Sequence, residues 1–219
     1  METNNTTVKT NRAPYQWIAF LFCIHLSGFL FDMLAKLPPF SPLNPWLQLL
    51  VTAATVYILF RLRQHRFYRP AAVLLLISLI LTLLQRLLSI NVITGMVYKL
   101  LQTDALQTIG LISQVLSLAG AICRLAAMYL EYSAHSQLIK PVSQRMANTW
   151  IWVAIAILVM SIAVNFIGRT LGNMITQGTL EYALYQKFLP LLLLPSALKQ
   201  IAYILCLFHT HRLLRQQTP

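Results

Sequence analysis

The sequence predicts an all-α membrane protein, a bundle of about six transmembrane helices with both termini cytoplasmic. Three observations carry that expectation. The 219-residue chain is 58% hydrophobic and only 10% charged, with a mean hydropathy of +0.65, whereas soluble domains carry about 25% charged residues. A water-soluble fold of this size still exposes much of its chain and could not hide so much apolar surface. The apolar residues also gather into six runs, each near the roughly 20 residues needed to cross a ~30 Å hydrocarbon core. Finally, the basic residues divide unevenly between alternate connections.

The runs cover residues 15–37, 43–62, 70–90, 106–130, 149–169 and 188–209. They form one polytopic domain over 15–210, between a short cytoplasmic segment (1–14) and a short cytoplasmic tail (211–219). Length favours helix over strand, because barrel strands would be shorter and would alternate polar and apolar residues. The first run follows a polar stretch and ends in "DMLAKLPP" without a small-x-small cleavage site, so it reads as a retained span. Four prolines in "LPPFSPLNP" forbid a continuous helix and separate spans one and two. The second run is the least apolar and spans if Arg61 and Arg63 lift their charged heads outward. Pro70 opens the third run, where its missing N–H costs nothing. The stretch "NVITGMVYKLLQTDA" spaces Ile93, Met96, Val97, Leu100 and Leu101 like a helix lying in the interface; an ordinary loop is the alternative. Trp17, Trp46, Trp150 and Trp152, with Tyr15, Tyr129, Tyr132 and Tyr185, sit near span ends, the pattern of an aromatic belt at the headgroups.

The charge of +12 raises the question of nucleic acid, most of all at "FRLRQHRFYRP". No nucleic-acid-binding motif accompanies the cluster, so nucleic acid is not expected as a partner. Across six spans, one side collects Lys9, Arg12, Arg61, Arg63, Arg66, Arg69, Lys140, Arg145, Arg212 and Arg215. The other collects Lys36, Arg86, Lys99, Arg169 and Lys187. Loops rich in Lys and Arg stay inside, which places both termini in the cytoplasm of a bacterial-type plasma membrane. Attraction to anionic headgroups, about 1 kcal/mol per basic residue, follows. With an inward N-terminus, the glycosylation-like tripeptides "NNT" and "NTT" are accidental.

Polar residues inside the spans point to function, since ionisable groups at depth are costly. In span four, Gly110, Ser117, Arg124 and Glu131 recur every seven residues, with Gln107, Gln114 and Ala121 on the neighbouring rung. Such a face, with Gly120 beside it, must point into the bundle as a helix-packing surface. With each span's midpoint at the bilayer centre, Asp32, Arg86 and Asn165 fall about 9 Å outward and Arg124 about 9 Å inward, while Lys199 falls within about 2 Å of the centre. Asp32, Arg86, Arg124, Asn165 and Lys199 are therefore the candidate substrate-binding residues, with a water-filled cavity holding an anion between the cations. Pro190 and Pro195 kink the sixth span near Lys199, as in transporter sites or as a passive packing feature.

Catalysis has little to work with. Five acids are present, and no HExxH, GxSxG, phosphate loop or dinucleotide fingerprint occurs. No catalytic residue, metal site or cofactor is expected. Cys23, Cys123 and Cys206 lie in apolar runs and read as small hydrophobic fillers. Glu131 and His135 read as a solvated helix end, with a metal or acid–base pair as the alternative, and His209 and His211 as headgroup neighbours. Transport or membrane-embedded binding of a small anionic or amphiphilic solute leads. The competing expectation is an accessory or scaffold protein that docks a membrane partner, or a second copy of itself, through the polar face of span four.

Overall fold

A computed structural model describes residues 14–34, 44–62, 66–89, 103–176 and 182–217. The described residues are helical, without strands, and form α1 (Pro14–Leu34), α2 (Asn44–Arg61), α3 (Tyr68–Ser89), α4 (Thr103–Ile139), α5 (Gln144–Thr176) and α6 (Tyr182–Gln216). Each helix packs on its neighbours in the chain, and α1 closes the ring against α6, while α4 and α6 also meet across it. Four of them, α1, α3, α4 and α5, are long and apolar enough to cross a membrane. The outer surface suits hydrocarbon: Leu30, Leu50, Ile80, Leu111, Val159 and Leu198, one from each helix, all stand exposed.

Local chemistry sets the helix ends. Asn44 followed by Pro45 opens α2, pairing a favoured cap residue with the proline tolerated at the first helical position. Pro70 lies in the first turn of α3. Between α4 and α5, the amides of Val142 and Ser143 both reach the Ile139 carbonyl at 2.9 Å, and the Ser143 hydroxyl caps the Met146 amide at 3.3 Å. Pro141 sits inside this turn, and the chain reverses within four residues.

On both sides of that turn the helices run past the expected spans. Hydropathy ends span four at residue 130 and begins span five at 149, but α4 continues to Ile139 and α5 starts at Gln144. Ser136 explains part of the difference: its hydroxyl donates to the Ala147 carbonyl at 2.9 Å and ties the two extensions together. At 37 residues, α4 is about 55 Å long, well beyond a ~30 Å core. The expected interfacial helix at 91–105 and the proline-rich connection before α2 lie largely outside the described residues.

The best-packed core sits at the end of the bundle where α1, α3 and α5 begin and α2, α4 and α6 finish. Trp150, Tyr68, Leu59, Ile139 and Leu207 are all fully buried there. Two expected belt residues belong to this core instead. Trp150 is 0% and Tyr132 3% exposed, whereas Trp152, two residues along α5, is 70% exposed. Residues two apart lie on nearly opposite sides of a helix, so proximity to a span end says nothing of which one faces lipid. Arg61 is exposed: its guanidinium donates to the Tyr57 hydroxyl at 2.8 Å and lies 6.0 Å from the Trp17 ring.

Candidate functional site

A cavity of about 570 Å³ runs up the middle of the ring, within the ~300–1,000 Å³ range of small-molecule sites. Helix periodicity builds its walls. α1 contributes His25, Gly28 and Phe29, and α2 contributes Gln48, Val51, Thr52 and Thr55. From α4 come Ser117, Ala121, Arg124, Leu125, Met128, Glu131 and Tyr132, one continuous face over about four turns. α6 supplies Lys199, Gln200, Tyr203 and Ile204, while α3 and α5 add Leu75 and Ser161.

Two candidate cations meet here, since Arg124 and Lys199 both line the cavity. Among the described residues, neither is paired with a carboxylate. The Gln200 Oε1 is buried and, among the described residues, accepts no hydrogen bond, so the wall also offers an acceptor to an incoming group. The remaining candidates lie elsewhere. Asp32 accepts a hydrogen bond from the Asn44 amide at 3.2 Å and does not line the cavity. Arg86, in the last turn of α3, is half-buried and likewise outside it. The Asn165 side chain lies outside the described residues.

The helix-packing candidates also separate. Gly120 is buried against Leu81 of α3, and its carbonyl accepts a hydrogen bond from the Ser78 hydroxyl at 3.0 Å. Ser117 faces the cavity. Gln114 is exposed, and a Cβ at Gly110 would meet nothing within 4 Å. The tightest glycine contact falls instead at Gly28, where a Cβ would lie 3.0 Å from Val51.

The floor of the cavity overturns one expectation. Glu131 and His135 do not form a solvated helix end; they are 8% and 0% exposed. The Tyr203 hydroxyl donates to Glu131 Oε1, and His135 Nε2 lies 3.7 Å from the same oxygen. On its other side, His135 Nδ1 is 2.7 Å from the Tyr68 hydroxyl. Aromatic rings wall in this group: Trp150 is 4.6 Å from the His135 ring, and Tyr132 stacks on Tyr203 at 5.2 Å. These partners come from α3, α4, α5 and α6, so the cluster exists only once the ring has closed. Its sole local signal is the four-residue spacing in "EYSAH", which is equally that of a solvated helix end.

His25 extends the polar strip upward. Its Nε2 is 3.2 Å from the Thr55 hydroxyl, which donates its one proton to the Val51 carbonyl at 2.8 Å. The Thr55 oxygen can then only accept, so His25 carries its proton on Nε2. Cys23 is exposed, Cys123 half-buried and Cys206 buried, all three as free thiols, and no cluster of three metal-ligating side chains occurs among the described residues.

No family model, curated protein or solved structure matches this chain.

Proposed function

We propose that this protein spans the membrane six times, with both termini cytoplasmic, and binds a small anionic or amphiphilic solute in its central cavity as a step in transport. One observation carries the reading: Arg124 and Lys199 share a cavity wall, and among the described residues no carboxylate is partnered to either. Cations withdrawn from bulk water cost several kcal/mol unless balanced, and an anion between them supplies that balance. The apolar part of the lining, including Phe29, Leu125 and Met128, suits a solute with a hydrocarbon portion.

The six-span topology draws support from the same cavity. Within the described residues, α2 and α6 are not among the four helices long and apolar enough to cross a membrane, and they supply Gln48, Thr52, Thr55, Lys199 and Gln200 to its wall. A helix that turns polar side chains inward loses mean hydropathy without losing its lipid-facing side. The basic residues favour the bacterial plasma membrane with the core end inward. Much of the polar face of α4 lines the cavity, which favours solute binding over docking of a partner.

Thermal unfolding in detergent tests the reading, using octanoate and inorganic phosphate as probes and octyltrimethylammonium as the control of opposite charge. A ligand at 100 times its Kd stabilises the native state by about 2.7 kcal/mol. One of the two anions should raise the Tm of the wild type and leave an Arg124→Gln/Lys199→Gln double variant unmoved. Equal responses in the two proteins, or a response to the cation alone, would refute it.

A further inference from the structure

Anion binding by Arg124 and Lys199 leaves the buried acid on the cavity floor without a task. We propose that Glu131 and His135 together form a proton-binding site at the base of the cavity, and that a proton held there favours an anion above it. The second half of this statement rests on the proposed anion site; the first stands without it.

The geometry is that of a pair poised around one proton. Glu131 lines the cavity with 8% of its surface exposed, while His135 lies behind it with none. Among the described residues His135 Nε2 makes no hydrogen bond, yet it sits 3.7 Å from Glu131 Oε1. That separation is too long for a hydrogen bond and short enough to become one with a small side-chain movement. A buried polar atom with no partner is uncommon and calls for an explanation. Proton accounting supplies one. A neutral imidazole has one N–H, and at Nδ1 it shares a single bond with the Tyr68 hydroxyl. With Tyr68 donating, Nε2–H faces the carboxylate. A further proton, delivered from solution through cavity water, forms one new O–H bond on Glu131, or one new N–H bond at His135 Nδ1 with the Tyr68 hydroxyl turning from donor to acceptor; its release reverses the same change. No other bond in the cluster changes, and the pair gains or loses one proton between them.

The ionisable surroundings enter from every side. α1 brings His25, whose ring is 4.7 Å from Tyr203, and α3 brings Tyr68. α4 itself adds Tyr132 beside Glu131 and Arg124 two turns away. α6 brings Tyr203, Lys199 and Cys206, and α5 faces the pair with the indole of Trp150, which does not ionise. The formal charges on the wall are thus two positive and one negative among the described residues. Protonating the pair removes that opposing negative charge or adds a third positive one. An anion in the cavity then binds more tightly, and by linkage the anion tightens the proton.

Trp150 reports on the site directly because its ring lies 4.6 Å from that of His135. In a full-length chain carrying Trp17→Phe, Trp46→Phe and Trp152→Phe, its fluorescence is followed in detergent from about pH 4 to about pH 9, which brackets free carboxyl and imidazole groups. One transition is expected, lost in His135→Phe and displaced in Glu131→Gln. Absence of the transition, or indifference to Glu131→Gln, overturns the proton site. Saturating octanoate should move the midpoint upward by about one pH unit, equivalent to a tenfold coupling.

A second measurement needs no tryptophan replacement. Octanoate added to the wild-type protein in weak buffer with a pH indicator should draw protons from solution. Lys199→Arg, which keeps the charge but does not titrate, should draw them equally, and Glu131→Gln should not. Octanoate bound without proton uptake overturns the coupling and leaves anion binding intact. A Glu131-dependent transition in a protein that binds neither probe anion overturns anion binding and leaves the proton site standing.

Discussion

The indole N–H of Trp150 donates to the Thr210 hydroxyl at 2.8 Å, and both side chains are fully buried. This bond ties α5 to α6 at the end where the bundle is best packed. Thr210→Val keeps the shape but leaves a buried donor without an acceptor, which costs about 1–3 kcal/mol. Thermal unfolding in detergent should show a lower Tm for Thr210→Val and almost no change for Trp152→Phe, whose indole is 70% exposed.

The contrast between these tryptophans shows what the sequence could and could not disclose. Each helix among the described residues overlaps one of the apolar runs, because hydropathy reports on the side chains that face out of the bundle. They missed the last turns of α4 and the first of α5, where Glu131, His135 and Ser136 are polar yet buried. Burial there comes from long-range partners: Tyr203 is 72 residues from Glu131, and Tyr68 is 67 from His135. No local window holds that information. Arg124 and Lys199 were legible as unusual because charge at membrane depth is unusual anywhere. Their shared cavity was not, since it requires knowing that α6 lies across from α4. Asp32 was singled out on depth alone, and its hydrogen bond with Asn44 depends on the end of α1 meeting the start of α2.

Glycines should divide by what their missing side chains allow. At Gly28 an added Cβ meets Val51 at 3.0 Å, whereas at Gly110 it meets nothing within 4 Å. Replacing a helical glycine by alanine otherwise gains about 0.8–1.0 kcal/mol of helix propensity. Gly110→Ala should therefore raise the Tm. Gly28→Ala should lower it by forcing α1 and α2 apart, and Val51→Ala in the same chain should recover most of the loss. Equal effects at Gly28 and Gly110 would mean that the two helices do not approach so closely.

Residues outside the cavity should leave anion binding alone. Asp32 and Arg86 do not contribute to the wall, so Asp32→Asn and Arg86→Gln should show the same anion-induced rise in Tm as the wild type. Asp32→Asn should still lower the basal Tm slightly, by weakening a charge-assisted hydrogen bond worth about 1.5–3 kcal/mol in favourable settings. Loss of the anion response in either variant would move the binding site away from the cavity.

The account turns on a water-accessible cavity whose walls are positive, and a thiol placed inside it tests this most directly. Ser117 lines the cavity near Arg124 on the same helix. In a chain whose three native cysteines are replaced by alanine, Ser117→Cys would be labelled with anionic and cationic methanethiosulfonates, each rate divided by that reagent's rate with a free thiol in solution. The prediction is a faster normalised reaction with the anionic reagent, by about tenfold for roughly 1.4 kcal/mol of local potential, and equal rates once Arg124→Gln and Lys199→Gln are added. A thiol that reacts with neither reagent, or faster with the cationic one, would contradict the account.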